Sequence, residues 1–74
     1  MNIVGMETGV VRQTARLEFW TLHEGFWGAS HLCGYVYDHP QFADGTFVTT
    51  SLVRSVEGNS AETVNTDYVL GKPA

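Results

Sequence analysis

The chain has 74 residues, which suffice for one small domain only, because a smaller unit buries too little apolar surface to fold alone. Eight acidic against four basic residues give a formal net charge of −4, which argues against binding to nucleic acid or to anionic membranes. Cys33 is the single cysteine, so an intramolecular disulfide and a zinc site built from several cysteines are excluded. The sequence shows neither a membrane-spanning apolar run nor a signal peptide, so we expect a soluble cytoplasmic protein.

Runs rich in β-branched and aromatic residues alternate with Gly, Pro, Asn and Asp along the chain, a pattern typical of an all-β domain. We predict a single small β domain over residues 1–74. Its four or five short antiparallel strands are expected to curl into a half-open barrel. Residues 1–9 are expected to be a flexible arm or a short edge strand, since Gly5 and Gly9 interrupt them.

The first strand is predicted most strongly over residues 15–23. Strict alternation places Leu17 and Phe19 on one face and Trp20 and Leu22 on the other. Because both faces then carry large apolar side chains, we expect a β-bulge or two-sided burial near Phe19.

The second strand is predicted over residues 31–37, after a glycine-bounded turn that carries Phe26 and Trp27. Its two faces carry Leu32 and Val36 on one side and Cys33, Tyr35 and Tyr37 on the other. Since both faces are apolar, both are expected to be covered.

The rest of the chain predicts two further strands. Residues 46–56 are rich in threonine and valine and form the third strand, and a turn at residues 57–60 leads to the fourth. The fourth strand covers residues 61–70 and is expected to break near Asn65.

The loop at residues 38–45 holds the densest set of chemically capable side chains. His39 precedes a proline and is therefore extended, and Asp44-Gly45 is a strong tight-turn signal. Neighbours on an extended chain point to opposite sides, so Asp38 and His39 are not expected to share a proton or a metal. We interpret the segment as a strand-connecting loop, with His39 as an ordinary surface residue.

Metal binding and catalysis find little support in the sequence. The three histidines, His23, His31 and His39, are spaced eight apart, which is not a ligand motif, although His23 and His31 could face each other across a hairpin. No nucleophile elbow and no phosphate-binding glycine loop is present. We therefore predict no metal, no cofactor and no enzymatic activity.

The nine aromatic residues point to an interaction surface. Phe19, Phe47 and Tyr68 are expected to fill the core. One curled sheet covers only one of its faces, and no helix is predicted to cover the other, so a homodimer or another protein partner is expected. The predicted contact residues are Trp20, Leu22, Phe26, Trp27 and Tyr35.

The segment GYVYDHPQFADGTFVTTSLV, with the later TVNTDYVLG, resembles small uncharacterised β proteins of bacterial mobile elements such as integron cassettes and phages. The shared pattern comprises Tyr37, His39-Pro40, Phe42, Asp44-Gly45, Thr50-Ser51, Asn65, Tyr68 and Leu70-Gly71. The resemblance covers about half of the chain and implies no activity.

Three classes of function stay open at this point. The favoured one is a non-catalytic interaction module of a mobile genetic element, by analogy a stoichiometric inhibitor of a host defence protein such as an anti-CRISPR. The alternative is a small-molecule-binding protein with an aromatic cleft of Trp20, Tyr35, Tyr37 and His39. The least favoured is a small enzyme that would draw an acid–base pair from the loop at residues 38–45.

Overall fold

The computed structural model describes residues 12–74, except for the side chain of Phe26, so the predicted arm at residues 1–9 lies outside the described part. Within that part the chain is all-β, as predicted, with one short 3-10 turn at Phe26–Gly28. None of its described segments is a helix long and apolar enough to cross a membrane. The strands are β1 (Gln13–Glu24), β2 (Ser30–Tyr37), β3 (Thr46–Thr49), β4 (Val53–Glu57), β5 (Ser60–Thr63) and β6 (Thr66–Leu70).

The six strands form one mixed sheet in the order β3-β2-β1-β6-β5-β4. It consists of two three-stranded antiparallel meanders, the N-terminal meander (β1–β3) and the C-terminal meander (β4–β6). Parallel pairing of β1 with β6 joins them. The expectation of four or five antiparallel strands is therefore corrected to six described strands with one parallel pair.

The strand expected over residues 46–56 is two strands, β3 and β4, which lie at opposite edges of the sheet. Residues 50–52 connect them and bond to both meanders: Thr50 N donates to Leu32 O at 2.8 Å, and Val64 N donates to Leu52 O at 3.0 Å. The sheet curls enough for β2 and β4 to approach each other. It is not closed into a barrel, because β3 and β4 do not pair, and this corrects the expected half-open barrel.

The core lies on one face of the sheet, called here the core face. Leu17 on the central strand β1 is in register with Val36 on β2 and with Leu70 on β6, and all three are buried. The other buried apolar residues are Ala15, Leu32, Ala61 and Tyr68, and Trp20, Val48 and Val53 pack against them. Full burial of one such large side chain contributes about 1.5–3 kcal/mol, so this cluster is the main source of stability.

The expected break near Asn65 is present and separates β5 from β6. Buried Thr63 holds this turn, because its Oγ1 donates to Thr66 O at 2.7 Å and accepts from Thr66 N at 3.1 Å. Arg12 supports the turn from outside: its Nε lies 2.9 Å from Asp67 Oδ1, and its guanidinium also bonds Thr63 O. The side chain thus satisfies backbone groups that the strands leave unpaired.

Candidate functional site

A β-bulge in β1 sets the geometry of the outer face, which is the face opposite the core. Leu17 and Glu18 pair with Val36 and Tyr35 in regular register, and the register then shifts before Thr21. The bulge expected near Phe19 is thus confirmed, with Phe19 in a left-handed conformation at φ 50°.

Gly34 lies on β2, opposite the bulge, and leaves the space that the bulge needs. A Cβ at this position would lie 3.0 Å from Glu18 O, 3.0 Å from Leu17 Cγ and 3.1 Å from Trp20 Cα. A glycine is therefore required at position 34 for strands β1 and β2 to approach this closely. Because one residue is inserted, Trp20 returns to the core face and Phe19 is displaced from it.

Phe19, Tyr35 and Phe47 form an aromatic row across the outer face of the N-terminal meander. Tyr35 and Phe47 are register partners whose ring centroids lie 5.1 Å apart, and Phe19 lies 6.5 Å from Tyr35, both in edge-to-face geometry. The exposed fractions are 53% for Phe19, 40% for Tyr35 and 56% for Phe47. Three adjacent rings are thus left half in solvent.

Polar groups border the aromatic row on one of its long sides. The Arg16 guanidinium lies over the Tyr37 ring at 4.7 Å from its centroid, and Arg16 Nε is 2.9 Å from Glu18 Oε2. Glu18 also accepts a hydrogen bond from Lys72 N at 2.9 Å. On the opposite long side Cys33 Sγ lies 3.5 Å from Thr49 Oγ1. An apolar strip with a polar border is typical of protein contact surfaces.

Of the predicted contact residues, Tyr35 lies in the aromatic row. Trp20 is half-buried on the core face, where its Nε1 donates to Gly71 O at 3.1 Å, and Leu22 is exposed opposite Leu32 on that same face. Trp27 is 91% exposed at the tip of the β1–β2 hairpin, with φ 58°. The side chain of Phe26 lies outside the described part of the chain.

Sequence reasoning missed Phe19 and Phe47, which were expected in the core. Phe47 lies between Thr46 and Val48, whose side chains point to the core face, so period-two alternation along β3 alone could have placed it outside. For Phe19 the signal was the bulge, because one inserted residue reverses the side on which the following side chains lie. Tyr68 is buried, as expected.

The four residues of the predicted cleft do not share one surface. Tyr35 and Tyr37 are on the outer face, whereas Trp20 is on the core face. His39 is only 8% exposed, which corrects its expected surface position; its ring packs 4.8 Å from that of Phe42.

His39 instead lies beside a small cavity of about 170 Å³ at one end of the core. Its Nδ1 accepts a hydrogen bond from Gln41 N at 3.0 Å, which leaves Nε2 as the donor of the neutral ring. The cavity is lined by His39, Gln41, Phe42, Val48, Thr49, Thr50, Ser51, Asn65, Thr66 and Tyr68. Burial raises the pKa of Tyr68 above its usual 10.0, and a hydrogen bond with Thr66 opposes that rise.

The loop at residues 38–45 uses its polar side chains to bind its own backbone. Asp44 Oδ1 accepts from Asp38 N at 2.9 Å, and Gly45 donates its N–H to Val36 O at 2.7 Å. Gly45 adopts φ 85°, so the expected tight turn is confirmed. The Asp44 carboxylate is thus engaged in holding the loop, whereas the Asp38 carboxylate is exposed, with Oδ2 3.9 Å from Arg16 Nη1.

His23 and His31 are register partners across the β1–β2 hairpin, as the sequence suggested. His31 Nδ1 lies 3.1 Å from Thr50 O. Over residues 12–74 no cluster of three or more His, Cys, Asp or Glu side chains is arranged to hold a metal ion.

The outer face of the C-terminal meander differs in character. It holds an open groove of about 390 Å³ lined by Thr14, Ser55, Glu57, Ser60, Ala61, Glu62, Asp67, Tyr68 and Val69. Among these, Asp67 is paired with Arg12. The groove is acidic and hydroxyl-rich, as an ordinary solvated sheet face is.

Comparison with known protein families, with curated proteins and with solved structures finds no significant match for this chain. The geometry of the described residues therefore carries the functional argument.

Proposed function

We propose that this protein is a non-catalytic interaction module that binds protein through the outer face of its N-terminal meander. The observation that carries the proposal is the aromatic row of Phe19, Tyr35 and Phe47, which lies half in solvent. Aromatic side chains contribute large contact areas at low cost in conformational entropy, and they are enriched where proteins bind each other.

Backbone strain supports the same proposal. Phe19 and Trp27 adopt left-handed φ angles of 50° and 58°, although both are largely exposed aromatic residues. A left-handed conformation costs a non-glycine residue roughly 1–2 kcal/mol. Burial of the Phe19 ring within the chain offsets only part of that cost, since the ring is half exposed. Strain of this kind is often kept for function.

The narrower proposal concerns the partner. By analogy with small acidic proteins of mobile elements that act as stoichiometric inhibitors, the partner would be a host defence protein, and the chain would act in the cytoplasm as an anti-CRISPR does. This narrower part rests on that analogy alone. The aromatic row is compatible with such a role because an inhibitor needs only a contact surface.

Photo-crosslinking tests the proposal directly. A photoreactive phenylalanine analogue at position 47 should form adducts with protein, both in the purified full chain and in extract of bacteria that carry the gene. The same analogue at Val69, which is exposed on the outer face of the C-terminal meander, is the matched control. Adducts identified by mass spectrometry from position 47 but not from position 69 would support the proposal. Their absence from both samples would contradict it.

A second candidate function is the binding of a small polar ligand in the cavity beside His39. The observation that favours it is the buried imidazole, whose Nε2–H donates to no acceptor within residues 12–74, while Thr50 and Ser51 line the same space. Titration with acetate, glycine and similar small molecules should shift the amide NMR signals of Thr50, Asn65 and Thr66. If no member of the set shifts them, this second candidate is wrong.

A further inference from the structure

The two edges of the sheet differ in how they are protected against pairing with another strand. β4, at one edge, carries Arg54 and Glu57, and its register with β5 shifts between Val53 and Ser55. Charged residues and bulges are the usual means by which an edge strand avoids pairing with another chain. The edge at β4 is thus protected.

The other edge, β3, has neither protection. Its sequence, Thr46–Thr49, is uncharged, and its register with β2 is regular over all four residues. Within residues 12–74 no strand pairs with its outward side. An edge of this kind is a template for an additional strand.

The hydrogen bonds of β2 and β3 identify which backbone groups point outward. Thr50 N donates to Leu32 O, and ladder bonds in an antiparallel pair recur at every second residue. Val48 therefore bonds to β2, whereas the N–H and C=O groups of Phe47 and Thr49 face away from it. Beyond Val48 the ladder ends irregularly, because Thr46 N donates to Ala43 O at 3.1 Å and Gly45 N donates to Val36 O. The four outward groups of Phe47 and Thr49 are available to a further strand.

We propose that β3 pairs with β3 of a second copy of this chain, antiparallel and around a two-fold axis at Phe47. This inference rests on the proposed interaction function and names the partner. Phe47 would face its own copy in a hydrogen-bonded pair, and the two aromatic rows would join into one row of six rings across the axis.

Charge and symmetry favour a second copy over another partner. Residues 45–53 contain no charged side chain, so the antiparallel self-pairing places no like charges opposite each other, and Asp44 would face the partner near its residue 50. The pairing is isologous, which is the commonest form of protein assembly. A continuous sheet also covers the exposed edge and the Phe47 ring in both copies at once.

Sedimentation equilibrium of the purified full chain is the test, with folding checked by circular dichroism. At micromolar concentrations the wild type should sediment at twice the mass of the 8.2-kDa chain. Phe47→Lys places two ammonium groups opposite each other at the axis and should weaken dimerisation at least ~100-fold. Thr49→Pro removes an outward N–H that β2 does not use and should also yield monomers.

Ser55→Lys, on the opposite edge, is the matched control and should leave the dimer intact. A wild-type monomer at all concentrations, or a dimer that Ser55→Lys dissociates and Phe47→Lys does not, would overturn the proposal. Adducts from position 47 with another protein, together with a monomeric wild type, would refute self-pairing while the interaction function stands. Absence of any adduct from position 47 would refute the interaction function itself.

Discussion

The two meanders share one core but present different outer faces. The N-terminal meander exposes the aromatic row, whereas the C-terminal meander exposes Val69 among serines and the carboxylates of Glu57 and Glu62. Hydrophobic burial accounts for the core face of both meanders, and ordinary solvation accounts for the acidic outer face. The stability of a single chain does not account for the aromatic outer face, and this difference is the reason to assign it a contact.

The largest loss of stability is expected from a substitution where the two meanders meet. Leu17→Ala empties a fully buried site on β1, which pairs with β2 and with β6, and should lower the free energy of unfolding by about 2–5 kcal/mol. Urea denaturation followed by circular dichroism and by tryptophan fluorescence measures it. Val64→Ala, at an exposed site, is the control and should change stability by less than about 0.5 kcal/mol. Two separate transitions would show that the meanders do not share one core.

Gly34→Ala tests the bulge that belongs to the N-terminal meander alone. The added Cβ meets backbone atoms of Glu18 and Trp20, which cannot move without disturbing the ladder, so we expect a loss of about 1–3 kcal/mol. Gly25→Ala is the control, because its nearest contact would be an ordinary 3.6 Å to Ala29 O. Equal denaturation midpoints for the two variants would mean that the bulge does not depend on a glycine.

Thr63→Val is the corresponding test in the C-terminal meander. The substitution keeps the volume but removes the hydroxyl that bonds both the N–H and the C=O of Thr66, so about 1–2 kcal/mol should be lost. Thr14→Val, at an exposed site on the outer face, should be nearly neutral in the same denaturation assay. If Thr63→Val leaves the free energy of unfolding unchanged, water hydrogen-bonds the backbone groups of Thr66 instead.

The raised pKa of Tyr68 predicts how stability depends on alkaline pH. Burial favours the neutral phenol of Tyr68 in the folded state. The stability that this side chain contributes is therefore fully present below pH 10 and is lost as the pH rises through the folded-state pKa. Each unit of difference between the folded and unfolded pKa corresponds to about 1.4 kcal/mol. Denaturation midpoints from neutral to alkaline pH measure this, and Tyr68→Phe should flatten the dependence. If the stability of that variant falls with pH as steeply as that of the wild type, another titrating group causes the dependence.

The smallest change in stability is expected for Phe19→Gly. This variant tests most sharply whether the aromatic outer face of the N-terminal meander serves the fold or a contact. A half-exposed ring is lost while the strain of φ 50° is relieved, so stability should stay within about 1 kcal/mol of the wild type or rise. Thermal denaturation at a concentration low enough to exclude association is the appropriate assay. A loss well above 1 kcal/mol would mean that Phe19 serves the fold rather than a contact.

Local features were predictable from the sequence because they depend on near neighbours. The first two strands, the turn at Gly45, the break near Asn65 and the bulge near Phe19 all followed from alternation and turn chemistry. The division of residues 46–56 was not predicted, since Thr50 ends β3 by accepting a hydrogen bond from Leu32 N, 18 residues earlier.

Long-range features were not predictable, because they depend on residues that lie far apart in the sequence. Parallel pairing of β1 with β6 joins strands more than 40 residues apart, and no local pattern encodes it. The buried His39 ring lies 6.3 Å from the ring of Tyr68 on β6, a neighbour that a loop prediction does not include. Of the three residues of the aromatic row, only Tyr35 was selected from the sequence, and its neighbours Phe19 and Phe47 were assigned to the core.

Amide hydrogen exchange of the full chain at two protein concentrations tests the central claim most directly, namely that the exposed edge of the N-terminal meander is built for pairing. The N–H groups of Phe47 and Thr49 should exchange slowly at high concentration and rapidly at low concentration, since no strand within residues 12–74 pairs with this side of β3 and a second copy would protect them. Val48, which bonds to β2, should stay protected at both concentrations. Equal, rapid exchange of Phe47 and Thr49 at both concentrations would contradict the account.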